Sequence, residues 1–160
     1  MPVSNPNHAP ILFLCTANYY RSRFAEILFN YEAAQRALPW SAASRAIALD
    51  LGVNNLGPIS KYALLGLQQR GIPPPAEIRF PAQLRTQDLA QAQRVIALDQ
   101  AEHHPLLLRR FPDWADRVEY WSIPDLHLLG PVDALDRIEN RVRALICELQ
   151  SWPDHLRMDL

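Results

Sequence analysis

ILFLCTANYYRSRFAEILF (11–29) sets a cysteine at the end of an apolar run and an arginine six positions later. ILFLC (11–15) has strand length and no polar break, as in a parallel strand buried on both faces. Beyond it, Phe24, Ile27, Leu28, Tyr31 and Leu38 recur at helical spacing. That spacing predicts an amphipathic helix over roughly 22–37 that ends before Pro39. A cysteine between a strand and a helix N-terminus sits where backbone amides and the helix dipole favour a thiolate. The residues between Cys15 and Arg21 are enough for the chain to curl, so that several N–H groups point into one anion nest. Arg21 at the rim of that nest can fork two oxygens of a tetrahedral oxyanion. This is the equipment for a thiolate attacking a phosphate monoester. Arginine occupies fifteen of the 160 positions, so the bare Cys-x5-Arg spacing is weak. The strand before it, the helix after it and Ser22 beside the arginine make it much stronger.

The rest of the chain extends the same alternation. WSAASRAIAL (40–49) reads as a second strand. Pro58 suits a helix start, with Ile59, Tyr62, Leu65 and Gly71 outlining a helix and its stop. GIPPP (71–75) is a loop, TQDLAQA (86–92) a short helix and RVIAL (94–98) a strand. Asp99 with Glu102 resembles a capping box, in a helix whose regularity Pro105 limits. RVEYW (117–121) is a fourth strand candidate. Over 132–150, Leu135, Ile138, Val142, Leu145, Ile146 and Leu149 form the clearest helical stripe. The order β-α-β-α-(α)-β-α-β-α predicts one α/β domain over 1–160, core about 10–150: a four-stranded parallel sheet with helices on both faces.

Hydrophobic residues make up 49% and the net charge is −1, which disfavours disorder and a nucleic-acid partner. The basic residues are fifteen Arg and one Lys, Lys61, a bias that a compositional habit of the source explains as well as anion binding does. MPVSNPNHAP (1–10) has neither the charged start nor the apolar stretch of a signal peptide, and no run approaches the ~20 residues of a membrane span. Two cysteines, Cys15 and Cys147, suit a reducing cytoplasm and argue against a disulfide framework or a zinc site.

LFLCTANYYRSRFAE resembles the phosphate-binding loop of the low-molecular-weight protein tyrosine phosphatases, roughly C-x-G-N-x-C-R-S followed by A-E. Cys15, Asn18, Arg21, Ser22, Ala25 and Glu26 fall on that pattern. Shorter matches are Ser41–Ser44 with the family's second strand, VIALD (95–99) with a later one, and IPD (123–125) with its acid loop. The resemblance implies a flavodoxin-like fold and a monomer without cofactor or metal. It also implies hydrolysis of a phosphotyrosine protein or small aryl phosphate through a phosphocysteine, with phosphate and vanadate as inhibitors. Cys15 would be the nucleophile, with Thr16, Ala17, Asn18, Tyr19, Tyr20, Arg21 and Ser22 holding the phosphoryl group. Ser22 would hydrogen-bond the thiolate, Asn18 would brace the loop, and Asp125 would be the general acid. From the residues alone, Asp125 lies on the same sheet edge as Cys15, or it merely shapes a turn after Pro124.

The chain departs from that pattern in several places. Ala17 stands where a glycine is usual, which is costly unless its φ is negative. Tyr20 replaces a cysteine. Leu126-His127-Leu128 follows the acid where aromatics are usual, so the aromatic wall of the cleft has no assigned residues. Tyr19 is expected to face the cleft and Tyr20 to be partly buried. His103-His104 with Asp99 and Glu102 resembles a metal cluster but reads better as a solvated polar face. Cys147 reads as structural, and SWPDHLRMDL (151–160) carries no functional signal. Two alternative functions stand beside the phosphatase. One is arsenate reduction, which would need a thiol relay from Cys147 or an external thiol. The other is a non-catalytic phosphoprotein-binding module.

Overall fold

The computed structural model describes residues 10–125 and 130–151. Leu126, His127, Leu128 and the tail after Ser151 therefore lie outside the described residues. The strands β1 (Ile11–Cys15), β2 (Ala42–Ala46), β3 (Arg94–Ala97) and β4 (Glu119–Tyr120) form one parallel sheet in the order β2-β1-β3-β4. The helices are α1 (Arg21–Gln35), α2 (Lys61–Gln69), α3 (Thr86–Gln91), α4 (Gln100–Arg110) and α5 (Pro131–Gln150).

Side chains alternate across a strand, so β1 supplies both cores. Ile11 and Phe13 face a core built with α1, α2 and α5, while Leu12 and Leu14 face a second core built with α3 and α4. That two-sided burial is why the run carries no polar break. The α5 stripe is buried as its spacing predicts, with Ile138, Val142, Ile146 and Leu149 wholly enclosed.

Two expectations need correction. First, α2 begins at Lys61 rather than at Pro58, because Ser60 caps it by accepting from the Tyr62 N–H at 3.1 Å. Its buried face is Ala63, Gly66 and Leu67, not Tyr62 and Leu65, which are exposed. Gly66 allows this close packing, since a Cβ there would stand 2.3 Å from Leu135 Cδ1. Second, the strand read over 117–121 is only two residues long, because Arg117 N–H closes a turn onto Trp114 O at 2.9 Å. The chain still runs beside the third strand, with Trp121 N–H on Ala97 O and Ile123 N–H on Leu98 O, both at 2.9 Å. The helix that Asp99 caps is α4, with Pro105 inside it.

The α5 packing generates a stability prediction. Ile138→Ala removes a fully buried side chain between α5 and the sheet. It should destabilise the fold by ~2–5 kcal/mol. Urea unfolding should show a lower midpoint at unchanged m-value.

Candidate active site

The loop between β1 and α1 closes on its own side chains. Cys15 Sγ lies 2.9 Å from Ser22 Oγ. Asn18 Nδ2 donates to Ser22 Oγ at 2.8 Å, so a lone pair of that oxygen is taken and its proton is free to point at the sulfur. Asn18 has φ +53°, a left-handed conformation that asparagine tolerates better than most residues. Its amide is fully buried and fully used. Nδ2 also donates to Ser44 Oγ at 2.9 Å, and Oδ1 accepts from Arg79 Nη1 at 3.0 Å and Ala82 N–H at 3.2 Å. Ser44 Oγ in turn donates to Glu26 Oε1 at 2.7 Å, which also accepts from Arg79. Glu26 thus ties α1 to β2 behind the loop.

The alanine in place of the usual glycine is accommodated. Among the described residues only Asn18 and Ala37 are non-glycines with positive φ, so Ala17 carries no left-handed strain. Space for its methyl comes from Gly52, where an added Cβ would stand 2.6 Å from Ala17 Cβ.

Arg21 is buried, with one arm tied on each side. Nη1 donates to Ile123 O at 2.9 Å, and Nη2 to Glu102 Oε2 at 2.8 Å. The first bond fastens the start of α1 to the segment that leads into Asp125. Glu102 Oε2 also accepts from the Thr16 hydroxyl and faces His103 Nε2 at 3.1 Å. The capping box is therefore only half made. Asp99 accepts from Glu102 N–H at 3.3 Å, but Asp99 N–H donates to His103 Nδ1 at 3.0 Å rather than to the glutamate. Because Nδ1 accepts, neutral His103 carries its proton on Nε2 and donates to Glu102. His103 is fully buried, which corrects the reading of a solvated face; His104 does stand at the surface, against Asp116 at 3.0 Å.

These groups open onto a cleft of 720 Å³ lined by Cys15, Thr16, Ala17, Tyr19, Tyr20, Arg21, Glu102 and Asp125. Its other wall is Leu51, Asn54, Asn55, Leu56, Ile59, Ser60, Lys61, Tyr62 and Leu64. Tyr19 is held there by its hydroxyl donating to Leu56 O at 2.6 Å. Tyr20, expected to be partly buried, is buried and donates to Pro131 O at 3.3 Å. Burial outweighs the attraction of Arg21 and lifts the Tyr20 hydroxyl to about 12, so it stays protonated. Asn18 and Ser22 sit behind the cleft surface rather than on it. Every predicted site residue therefore gathers around the one loop.

A model of the low molecular weight phosphotyrosine protein phosphatase family matches residues 10–152. The chain belongs to that family. No curated protein matches it. Among solved structures, a low molecular weight protein tyrosine phosphatase from T. tengcongensis is 24% identical at TM-score 0.71, with 87% of this chain and 98% of that one covered. Vibrio vulnificus Wzb in complex with benzylphosphonate is 18% identical at 0.72, covering 88% and 99%. The YwlE arginine phosphatase from Geobacillus stearothermophilus is 24% identical at 0.68, covering 89% and 94%. At these identities the likeness shows the fold, and the family match makes the chain a phosphatase.

Sequence reasoning missed several residues in and behind this candidate site. Arg79 lies in a loop with no periodic signal. Glu102 and His103 looked like helix-cap and surface residues. Tyr62 was counted towards the core. Only Ser44 and Glu26 had a signal, and that signal was the resemblance. Cys147, read as structural, is exposed on α5.

Two predictions follow from this geometry. Burial lowers the pKa of His103 and Arg21 reinforces the effect, while the hydrogen bond to Glu102 and the charges of Glu102 and Asp99 oppose it. The folded protein therefore binds fewer protons here than the unfolded chain below the ordinary histidine value of ~6.5. Stability should fall as pH drops from about 7 to about 5. His103→Gln should flatten that slope in urea titrations at several pH values.

The second concerns oxidation. The N-terminal end of α5 touches the loop through Pro131 O, and Cys147 lies ~24 Å further along that helix at 1.5 Å rise. Glu148, its neighbour, pairs with Arg94 at 3.1 Å, at the sheet edge opposite Cys15. An intramolecular disulfide needs Cα atoms within ~7 Å. Peroxide without added thiol should carry Cys15 beyond sulfenic acid, unless a backbone amide closes a sulfenamide. Intact mass and peptide mapping should find no Cys15–Cys147 bridge.

Proposed function

We propose that the chain hydrolyses phosphotyrosine or similar aryl phosphate monoesters through a phosphocysteine intermediate. The observation that carries this reading is that one cleft holds Cys15, the tied Arg21 and Asp125 together. In the first step the Cys15 thiolate attacks phosphorus, the ester P–O bond breaks, and the Asp125 carboxylic acid gives its proton to the leaving phenolate. In the second, the Asp125 carboxylate takes a proton from water, whose oxygen attacks phosphorus and releases phosphate and the thiolate. Loop amides and the free N–H groups of Arg21 hold the equatorial oxygens throughout. Ser22 donates to the thiolate, and Asn18 holds Ser22.

Support for an aryl group comes from the sides of the cleft. Tyr19 and Tyr62, with Leu51 and Leu56, give a flat ring apolar and aromatic faces to lie against. The benzylphosphonate held by the Vibrio Wzb structure has the same combination of aromatic ring and phosphorus oxyanion.

Cys15→Ser should abolish phosphate release. Asp125→Ala should slow esters of poor, high-pKa leaving groups by ~10²–10³-fold and activated esters far less. The measurement is kcat/KM across a series of aryl phosphates with phosphoarginine alongside. A uniform loss would make Asp125 a loop-shaping residue, and faster cleavage of phosphoarginine than of every aryl ester would replace the substrate class.

A further inference from the structure

Glu102 is a carboxylate inside an anion-binding cleft, where its charge opposes the substrate's. Its environment shows what that charge is bound to. One oxygen, Oε2, takes the Thr16 hydroxyl from the loop, Arg21 Nη2 from α1 and His103 Nε2–H from α4. The three donors come from three different parts of the chain. Glu102 is free to do this because His103 takes over its capping duty, accepting the Asp99 N–H at 3.0 Å.

We propose that Glu102 is a positioning residue, held by His103, that fixes Arg21 and Thr16 for the transferring phosphoryl group and weakens ground-state binding of the phosphate dianion. This rests on the phosphatase reading above. The guanidinium is held by two bonds on different sides, Nη1 on Ile123 O and Nη2 on Glu102, so its plane is set before substrate arrives. Its remaining N–H groups are left for the oxyanion. A pre-set fork favours the transition state, whose geometry is the more demanding. The carboxylate beside it repels bound phosphate, substrate and product alike, because it already balances the Arg21 charge. Burial opposes ionisation of Glu102, but the hydrogen bonds from His103 and Arg21 outweigh it and hold the carboxyl well below its usual range. The repelling charge is therefore present throughout the neutral pH range.

The two effects separate in an experiment. Glu102→Ala and the near-isosteric Glu102→Gln are compared with wild type for kcat and KM on an aryl phosphate, and for inorganic phosphate affinity by calorimetry. Both variants should lose kcat, Ala by about 10- to 100-fold and Gln by less. Both should bind inorganic phosphate more tightly than wild type, with KM unchanged or lower. His103→Gln, which keeps a donor towards Glu102, should retain more kcat than His103→Leu. Unfolding midpoints identify any variant that fails to fold, in which case Glu102→Gln carries the comparison. The proposal is overturned if kcat stays within about twofold in both Glu102 variants. It is overturned equally if phosphate affinity weakens in step with kcat, since the carboxylate would then only hold the loop's shape. A wild-type protein that cleaves no aryl phosphate would fail the substrate reading, while calorimetry would still report on Glu102.

Discussion

The buried amide of Asn18 holds a backbone conformation that the loop would not keep unaided. A left-handed residue in a tight loop is stable only when its surroundings over-determine it. Here both amide hydrogens and both lone pairs are satisfied, by Ser22, Ser44, Arg79 and Ala82. The four partners come from three parts of the chain: α1, β2 and the loop before α3. Such a network is worth more than its separate bonds because no member can move without leaving a buried polar group unpaired. The direction of Ser22 towards Cys15 follows from it.

Arg21 performs the corresponding task on the other side of the cleft. Through Ile123 O it binds the start of α1 to the segment carrying Asp125, and through Glu102 it binds the same point to α4. Cys15, the candidate nucleophile, and Asp125, the candidate acid, are 110 residues apart in sequence. They meet because β1 and β4 run parallel and both end at one sheet edge. The exposed apolar residues Leu51 and Leu56 line the wall of the same cleft.

How much was legible depended on how local the cause was. The α5 stripe and ILFLC were plain, because periodicity and unbroken hydrophobicity report burial directly. The extent of the fourth strand was not, because a turn at 114–117 competes with it. The Asp99–Glu102 pair shows the limit most clearly. Its spacing does signal a helix start, and Asp99 is the cap. The reciprocal bond failed because a neighbouring imidazole and a distant guanidinium outbid the backbone for those two partners. Tyr62 was misassigned for a related reason. A nine-residue helix offers too few turns to tell which stripe faces inwards until α1 and α5 are in place.

The sequence by itself determined the alternating α/β order, the cysteine at a strand end before a helix, and the arginine and serine that follow. Those are contained in short windows, where strand burial, helix periodicity and loop length act locally. Only the tertiary structure decided which polar residues stand behind the loop and which wall faces it. Sheet order and helix packing bring Glu102 and Tyr62 to the cleft and Arg79 and His103 behind it. Hydrogen bonds between residues dozens of positions apart leave no trace in spacing, because their geometry exists only once the parallel strands have brought their ends together.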